Sequence, residues 1–144
     1  MKIALASDHA GFELKSHLVK FLEKSGSDVT DLGTNSEESV DYPDYAKAVC
    51  VSVLKGECER GILVCGSGVG MSIAANRFKG IRAVLCNDLY IAEYSRRHND
   101  TNVLCLPGRL MGKGLAEKIV ELWLKTPFEG GRHEKRLKKI DDNC

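Results

Sequence analysis

The sequence predicts a doubly wound (Rossmann-like) α/β domain, with a five-stranded parallel sheet and helices on both faces. Short apolar, β-branched runs alternate with amphipathic helical patterns along the chain. Single helices between successive strands imply right-handed crossovers, which give a parallel sheet covered on both sides. A length of 144 residues suits one domain with its own core, so we expect a single domain over 1–144.

Each element follows from its local pattern. Apolar runs predict five strands, at 2–7, 27–33, 60–65, 80–86 and 101–106. The helix after the first strand has one apolar face, formed by Leu14, Leu18, Phe21 and Leu22. Further helices are predicted at about 44–55, 70–78, 88–97 and 112–125. A break at Gly130 and Gly131 then predicts a short basic helix within a C-terminal arm, 127–144.

Composition excludes several functional classes. With a formal charge of +1, the chain has no overall field that favours nucleic acid or membrane. No stretch approaches the ~18 apolar residues of a membrane-spanning helix, and the first apolar run is too brief for a secretory signal. The six cysteines form no CxxC pair and have no histidine at zinc-finger spacing. We therefore expect reduced thiols, a cytoplasmic protein and neither a metal site nor a cofactor.

Polar residues follow four of the predicted strands. In doubly wound sheets, ligands bind beyond the carboxyl ends of the strands, near the point where the strand order reverses. The residues that follow the strands are Ser7-Asp8-His9, Cys65-Gly66-Ser67, Asn87-Asp88 and Pro107-Gly108-Arg109. The carboxyl edge of the sheet is therefore predicted to hold a site.

The glycine-rich stretch "CGSGVGM" opens a helix after the third strand. Gly66, Gly68 and Gly70 let the backbone approach a ligand closely, and successive amides can bind an anion. A dinucleotide-binding fingerprint fails because Met71 occupies its third glycine position, and a Walker A loop fails because Gly-Lys-Ser/Thr is missing. A tight strand-to-helix turn without a ligand is the alternative.

Cys65 ends the third predicted strand, immediately before these glycines. Most free cysteines are buried and inert, and this interpretation stays open. Backbone amides and the start of a helix favour a thiolate, however, and a thiolate can act as nucleophile or general base.

The remaining candidate residues each have a structural alternative. Asp8 and His9 suit proton transfer or anion binding, or else a solvated turn or helix cap. His98 lies near the end of a helix, where a cation also suits the dipole. Arg132 and Arg136 are four apart, so on a helix they point the same way and suit one phosphate. An RNA or acidic-lipid patch, or simply a solvated tail, are the alternatives.

Five ordered blocks resemble the family of type B ribose-5-phosphate isomerases, which includes the galactose-6-phosphate isomerase subunits. The resemblance runs from residue 2 to about 137, in "SDHAGFELK", "DYPDYA", "GILVCGSGVGMSIAANRFKGIRA", "SRRHNDTNVLCLPGR" and "FEGGRHEKR". It implies a metal-free aldose–ketose isomerase that interconverts D-ribose 5-phosphate and D-ribulose 5-phosphate through an enediolate, in the pentose phosphate pathway. It also implies a homodimer, or a tetramer, with sites shared across the subunit interface. We expect the 127–144 arm to contact the partner subunit.

The resemblance also implies site residues. Cys65 corresponds to the base that moves the proton between C1 and C2, and Ser67 to a hydroxyl, usually Thr, that assists on the substrate oxygens. Some members instead have a Glu base where this chain has Met71, which cannot accept a proton. The anion hole for the enediolate corresponds to the amides of Gly66, Gly68, Val69 and Gly70. Ring opening corresponds to Asp8 and His98, and sugar contacts to Tyr42 and Asn99. The phosphate ligands correspond to His9, Arg109, Arg132 and Arg136.

Three other functions remain open at this point. A six-carbon substrate such as allose or galactose 6-phosphate would use the same chemistry, because one added carbon changes binding only modestly. A non-catalytic phosphosugar- or nucleotide-binding protein would use the same anion site without turnover. An RNA-binding tail on a generic α/β domain would bind with a steep dependence on salt.

Overall fold

The computed structural model describes residues 1–143, which form five β-strands and six α-helices. The strands are β1 (Lys2–Ser7), β2 (Asp28–Asp31), β3 (Arg60–Cys65), β4 (Ala83–Leu85) and β5 (Val103–Pro107). The helices are α1 (Phe12–Lys24), α2 (Tyr42–Leu54), α3 (Val69–Ala75), α4 (Leu89–Asn99), α5 (Lys113–Lys125) and α6 (Arg132–Asp141). A 3₁₀ turn, His9–Gly11, leads into α1.

The sheet is parallel throughout, with the strand order β2-β1-β3-β5-β4. The chain moves outward from β1 to β2 and then crosses to β3 on the other side of β1. The direction of winding therefore reverses between β1 and β3, where a crevice is expected at the carboxyl edge. The predicted doubly wound, five-stranded parallel sheet is confirmed.

Alternate strand residues bury against different helices. Ile62 and Val64 of β3 belong to the core beneath α1, α4 and α5, which includes the buried Trp123. Leu63 and Cys65 face the opposite way, into the core that holds Val49 of α2 and Met71 of α3. Near-continuous apolar strands are expected where both faces of a sheet are covered. Cys65 thus lies on the α2–α3 side, at the very end of β3.

Several predicted boundaries move. The helix predicted at 44–55 begins at Tyr42 because Pro43, with its fixed φ, suits the first turn. The helix predicted at 70–78 is α3, Val69–Ala75. The strand predicted at 80–86 shortens to Ala83–Leu85. The Asn102 side chain accepts the Arg82 amide and donates to the Gly80 carbonyl, so part of the hydrogen bonding before β4 comes from a side chain rather than from a neighbouring strand.

The thiols agree with a reduced protein. Cys50, Cys58, Cys65, Cys86 and Cys105 are all free and buried. Cys144, which the sequence gives no role beyond packing, lies outside the described residues. Within residues 1–143, no helix has the length and apolar character needed to cross a membrane.

Candidate active site

A cavity of about 410 Å³ opens at the carboxyl edge of the sheet, around the ends of β1, β3 and β5. Its walls come from the residues that follow those strands and from the first turns of α2 and α3. The lining residues are Asp8, His9, Ala10, Tyr42, Cys65, Gly66, Ser67, Gly70, Arg109 and Leu110. Eight of these are among the residues predicted to form a site, so the sheet-edge prediction agrees with the observed cavity.

Cys65 is buried yet borders this cavity. Cys65 is only 5% exposed, but it is among the residues that line the cavity, so the thiol is not sealed within the hydrocarbon core. The Gly68 amide donates a hydrogen bond to Cys65 Sγ over 3.2 Å. An amide aimed at sulfur stabilises negative charge there. Burial raises the pKa of two other buried thiols, to about 12 for Cys50 and about 11 for Cys86.

The loop that follows Cys65 depends on glycine at two positions. Gly68 has φ +76, a left-handed conformation, and a Cβ there would lie 2.5 Å from Leu85 Cδ1 and 3.1 Å from the Leu106 carbonyl carbon. A Cβ on Gly70 would lie 2.8 Å from the Tyr42 ring. The loop therefore passes close to β5, and the ring of Tyr42, the first residue of α2, packs against its backbone.

Asp8 and His9 are both fixed by the backbone. Asp8 is buried, and its Oδ1 accepts the Gly11 amide over 3.0 Å as the cap of the 3₁₀ turn. The capping role offered as an alternative is therefore present, and the same carboxylate also borders the cavity. His9 Nδ1 accepts the Val40 amide over 3.2 Å. When neutral, its ring must carry the proton on Nε2, which leaves Nε2–H as a donor.

Ser67 and Arg109 complete the cavity's polar side. Ser67 is exposed, and its Oγ accepts the Val69 amide over 3.3 Å. The Arg109 side chain lies along the glycine loop, since a Cβ on Gly66 would be 3.4 Å from its Cδ. Two backbone bonds tie the Arg109 segment to the loop, from Gly108 N to Cys65 O and from Arg109 N to Gly66 O. The exposed Val69 begins α3 beside the cavity and is not part of its lining.

Four predicted site residues lie at the other edge of the sheet. Helix α4 begins at the carboxyl edge, and its 11 residues span about 16 Å, so His98 and Asn99 reach the amino edge. The Asn99 carbonyl there accepts the Arg82 guanidinium, just before β4 begins. Within one chain, His98 and Asn99 therefore do not join the cavity at Cys65.

Arg132 and Arg136 lie with His98 rather than with Cys65. Both arginines are exposed on α6, and this helix packs against α4. The buried His133 of α6 stacks on His98, with ring centroids 4.2 Å apart and planes at 15°. Desolvation, reinforced by the charges of His98 and Arg132, lowers the pKa of His133. The predicted site is thus divided into a cavity group and an amino-edge group.

The amino-edge group also contains two residues that the sequence did not single out. Glu129 Oε2 lies 3.8 Å from His98 Nε2 and 3.5 Å from His133 Nε2. Its other oxygen accepts Arg97 Nε, and this bond lowers the pKa of Glu129. One donor atom from each of these three side chains lies within 4.8 Å of the others, an arrangement able to hold a metal ion. The sequence does not indicate this cluster because its members come from three segments. His98 lies on α4, Glu129 precedes the turn at 130–131, and His133 follows that turn on α6.

Comparisons with known proteins agree with the fold and with the five sequence blocks. Residues 3–140 match the family model described as Ribose/Galactose Isomerase. The chain is 52% identical to ribose-5-phosphate isomerase B of Escherichia coli (strain K12), over 96% of this chain and 93% of that protein.

Two solved structures are similar over nearly the whole chain. A ribose 5-phosphate isomerase from Thermotoga maritima superposes with TM-score 0.97 at 59% identity, covering 98% of this chain and 97% of that one. Ribose-5-phosphate isomerase B of Clostridium thermocellum gives TM-score 0.98 at 51% identity, covering 99% and 97%. The resemblance predicted from the sequence, and the prediction of an enzyme of the isomerase class, are confirmed.

Proposed function

Because the chain belongs to the ribose/galactose isomerase family, we propose that it interconverts D-ribose 5-phosphate and D-ribulose 5-phosphate. The relatives named as ribose-5-phosphate isomerases support this choice of substrate. The observation that carries the chemistry is the Cys65 thiol, which borders a cavity and accepts an amide hydrogen bond. The free cysteines of the chain suit a reducing compartment, so we assign the enzyme to the cytoplasm. The proposed substrates assign it to the pentose phosphate pathway.

Cys65 is the proposed base. Moving a proton between C1 and C2 requires a group that removes a weakly acidic C–H proton and later returns it. The Gly68 amide stabilises the charged sulfur that does this. Met71, which occupies the position of the alternative Glu base, is fully buried and has no basic atom. This chain therefore depends on the thiolate alone.

The glycine loop is the proposed binding site for the enediolate. As Cys65 takes up the substrate proton, negative charge passes from sulfur to the substrate oxygens beside it. The C–H bond breaks, its electron pair forms the C1–C2 double bond, and the charge comes to rest on the former carbonyl oxygen, where the amides of Gly66, Gly68, Val69 and Gly70 are proposed to donate to it. Donors fixed before the reaction need little reorganisation, and one such donor is worth about 2.7–4 kcal/mol. The exposed Ser67 hydroxyl moves protons between the two oxygens.

The complete site needs two chains. Asp8 is proposed to open the furanose ring with His98 of a second subunit, whose Asn99 contacts the sugar beside Tyr42. The phosphate would be held by His9 and Arg109 of the cavity and by the partner subunit's Arg132 and Arg136. The distance between the two groups within one chain supports such a shared site, and a two-fold dimer would make two equivalent sites. The arm 127–144 carries α6 and so would form part of this contact.

The decisive experiment follows ribulose 5-phosphate formation in EDTA by the wild type, Cys65→Ala and Cys86→Ala. Cys86 is the matched control because it also follows a strand at the carboxyl edge but does not line the cavity. Losing the base should lower turnover by about 10²–10⁴-fold in Cys65→Ala, with the Cys86 variant close to wild type. Full activity of Cys65→Ala would refute the assigned base. Parallel assays with allose and galactose 6-phosphate decide the sugar, and substrate binding without any turnover would favour a non-catalytic binding protein.

A further inference from the structure

The side chains of His98, Glu129 and His133, hereafter the His-Glu-His cluster, bring one donor atom each within 4.8 Å of the others at the amino edge. The two distances from Glu129 Oε2 to the imidazole nitrogens are 3.8 and 3.5 Å. Two atoms bound to one tetrahedral zinc ion, each at about 2.0–2.2 Å, lie about 3.3–3.6 Å apart. The observed separations are therefore close to those of ligands that share an ion.

Contacts that need no metal already order these donors. The His133 ring is buried and stacked parallel to the His98 ring, so the two nitrogen lone pairs lie side by side. The half-buried His98 ring must therefore rotate out of the stack, and out of its edge contact with Tyr94, before both nitrogens can bind one ion. Arg97 bonds both Glu93 and Glu129, and it takes the Glu129 oxygen that faces away from the imidazoles. A hydrogen bond of the Arg97–Glu129 kind orients a ligating carboxylate and is worth about 10–100-fold in metal affinity.

The donor type and the surrounding charge select the ion. Two imidazoles and one carboxylate suit Zn²⁺ and related transition ions, whereas Mg²⁺ and Ca²⁺ prefer oxygen ligands. Arg97 and Arg132 hydrogen-bond members of the cluster and the charge of Arg136 acts on His133, and this positive charge weakens binding of any cation. Arg132 Nε also donates to His133 Nε2 over 3.4 Å and must turn away before that nitrogen can bind an ion.

We propose that the His-Glu-His cluster binds a divalent transition-metal ion, Zn²⁺ foremost, with three protein ligands and one open position. The ion binds His98 Nε2 and His133 Nε2, and it displaces Arg132 from His133. Given the proposed function, which assigns His98 to ring opening and Arg132 to the phosphate, the bound ion inhibits the isomerase. The cluster would then make a metal-independent reaction sensitive to free zinc.

Calorimetric titration of the full chain with ZnCl₂, after EDTA treatment and in phosphate-free buffer, tests binding directly. We expect one ion per chain for the wild type. Glu129→Gln keeps the shape of the side chain but loses its charge, and we expect its affinity to fall at least about tenfold. His133→Ala should do the same, and thermal unfolding checks that this buried position still folds. Wild-type affinity in both folded variants would overturn the proposal.

Two controls exclude other ligands. His17 Nε2 lies 2.7 Å from Glu117 Oε1, an imidazole–carboxylate pair with no third ligand among the metal-capable groups of residues 1–143. His17→Ala should bind zinc as the wild type does. Cys65→Ala should also keep the site, and loss of zinc binding in either control would overturn the assignment to the cluster.

Isomerase assays of the same proteins test the consequence. Zinc should inhibit the wild type, EDTA should reverse the inhibition, and the activity that Glu129→Gln shows without zinc should not change when zinc is added. Zinc binding at the cluster without inhibition would overturn the inhibitory role. A wild type that binds zinc yet isomerises no pentose phosphate would refute the proposed function and leave the metal site standing, because calorimetry needs no turnover.

Discussion

The backbone amide of Gly68 lies 3.2 Å from the sulfur of Cys65 and donates to it. This bond exists only because residue 68 adopts φ +76, which turns the chain back toward the strand it has just left. A local backbone conformation that favours glycine thus sets the electrostatic surroundings of the proposed base. The glycine and the thiol are one functional unit, which leads to the first prediction.

Gly68→Ala should lose both stability and activity. A left-handed alanine costs on the order of 1–3 kcal/mol, and its Cβ would also meet Leu85 and Leu106. Moving the loop to relieve that contact draws the amide away from Cys65. Urea unfolding and pentose phosphate isomerisation are the measurements.

Gly56→Ala is the matched control. Gly56 has a similar φ of +71, but a Cβ there has no neighbour within 4 Å. It should therefore show the conformational cost without the contact and without loss of turnover. Equal effects of the two substitutions on turnover would contradict the role assigned to Gly68.

The fold could be predicted because its signals are local. The strands are buried on both faces and read as apolar runs, and helices such as α1 show one apolar stripe. The cavity could be predicted as well, since parallel strands bring Asp8, Cys65 and Arg109 to one edge wherever the helices lie.

One aspect of the candidate site follows from the fold class and another does not. A helix that connects two parallel strands returns the chain to the amino edge, so the predicted fold already separates His98, at the end of α4, from Cys65. The approach of Glu129 and His133 to His98 depends instead on the turn at 130–131 and on how α6 docks against α4. This is a tertiary property that no local pattern indicates.

Asp31→Ala should destabilise the protein strongly. Lys15 is 1% exposed, and its Nζ bonds both Asp31 oxygens, at 2.8 and 2.7 Å. Removing the carboxylate leaves a buried cation without its partner, which costs about 3 kcal/mol or more. Denaturant unfolding measures the loss.

Glu13→Ala is the control, because it breaks an exposed pair with Lys113 and should leave the unfolding midpoint unchanged. Comparable losses in both variants would contradict the buried-pair argument.

Buried thiols should make the protein alkali-sensitive. The folded-state pKa of Cys50 is raised to about 12 from an ordinary value of 9.0, because burial penalises the thiolate. The folded chain therefore holds this proton more tightly than the unfolded chain does. The resulting stability is full below pH 9.0 and is lost as the pH rises toward 12, by up to about 1.4 kcal/mol per pH unit.

Cys50→Ala isolates that contribution. The variant should be less stable than the wild type at pH 8, because it leaves a cavity, but its stability should fall less steeply above pH 9.0. Unfolding free energies measured over this range for both proteins give the two slopes. Parallel slopes would show that Cys50 does not contribute to alkaline unfolding.

Two inactive variants should restore activity when they are mixed as dimers. Cys65→Ala damages the cavity group and His98→Ala damages the amino-edge group, which lie at opposite edges of the sheet. If each site takes one group from each subunit, a mixed dimer contains one intact site and one doubly damaged site. Denaturing and refolding an equal mixture makes half the dimers mixed, so about a quarter of wild-type activity should return.

The control mixture combines Cys65→Ala with Arg109→Ala. It should recover no activity, because both changes fall in the cavity group and every site keeps one damaged group. Absence of recovery in the first mixture, with mixed dimers verified by mass spectrometry, would refute the shared site.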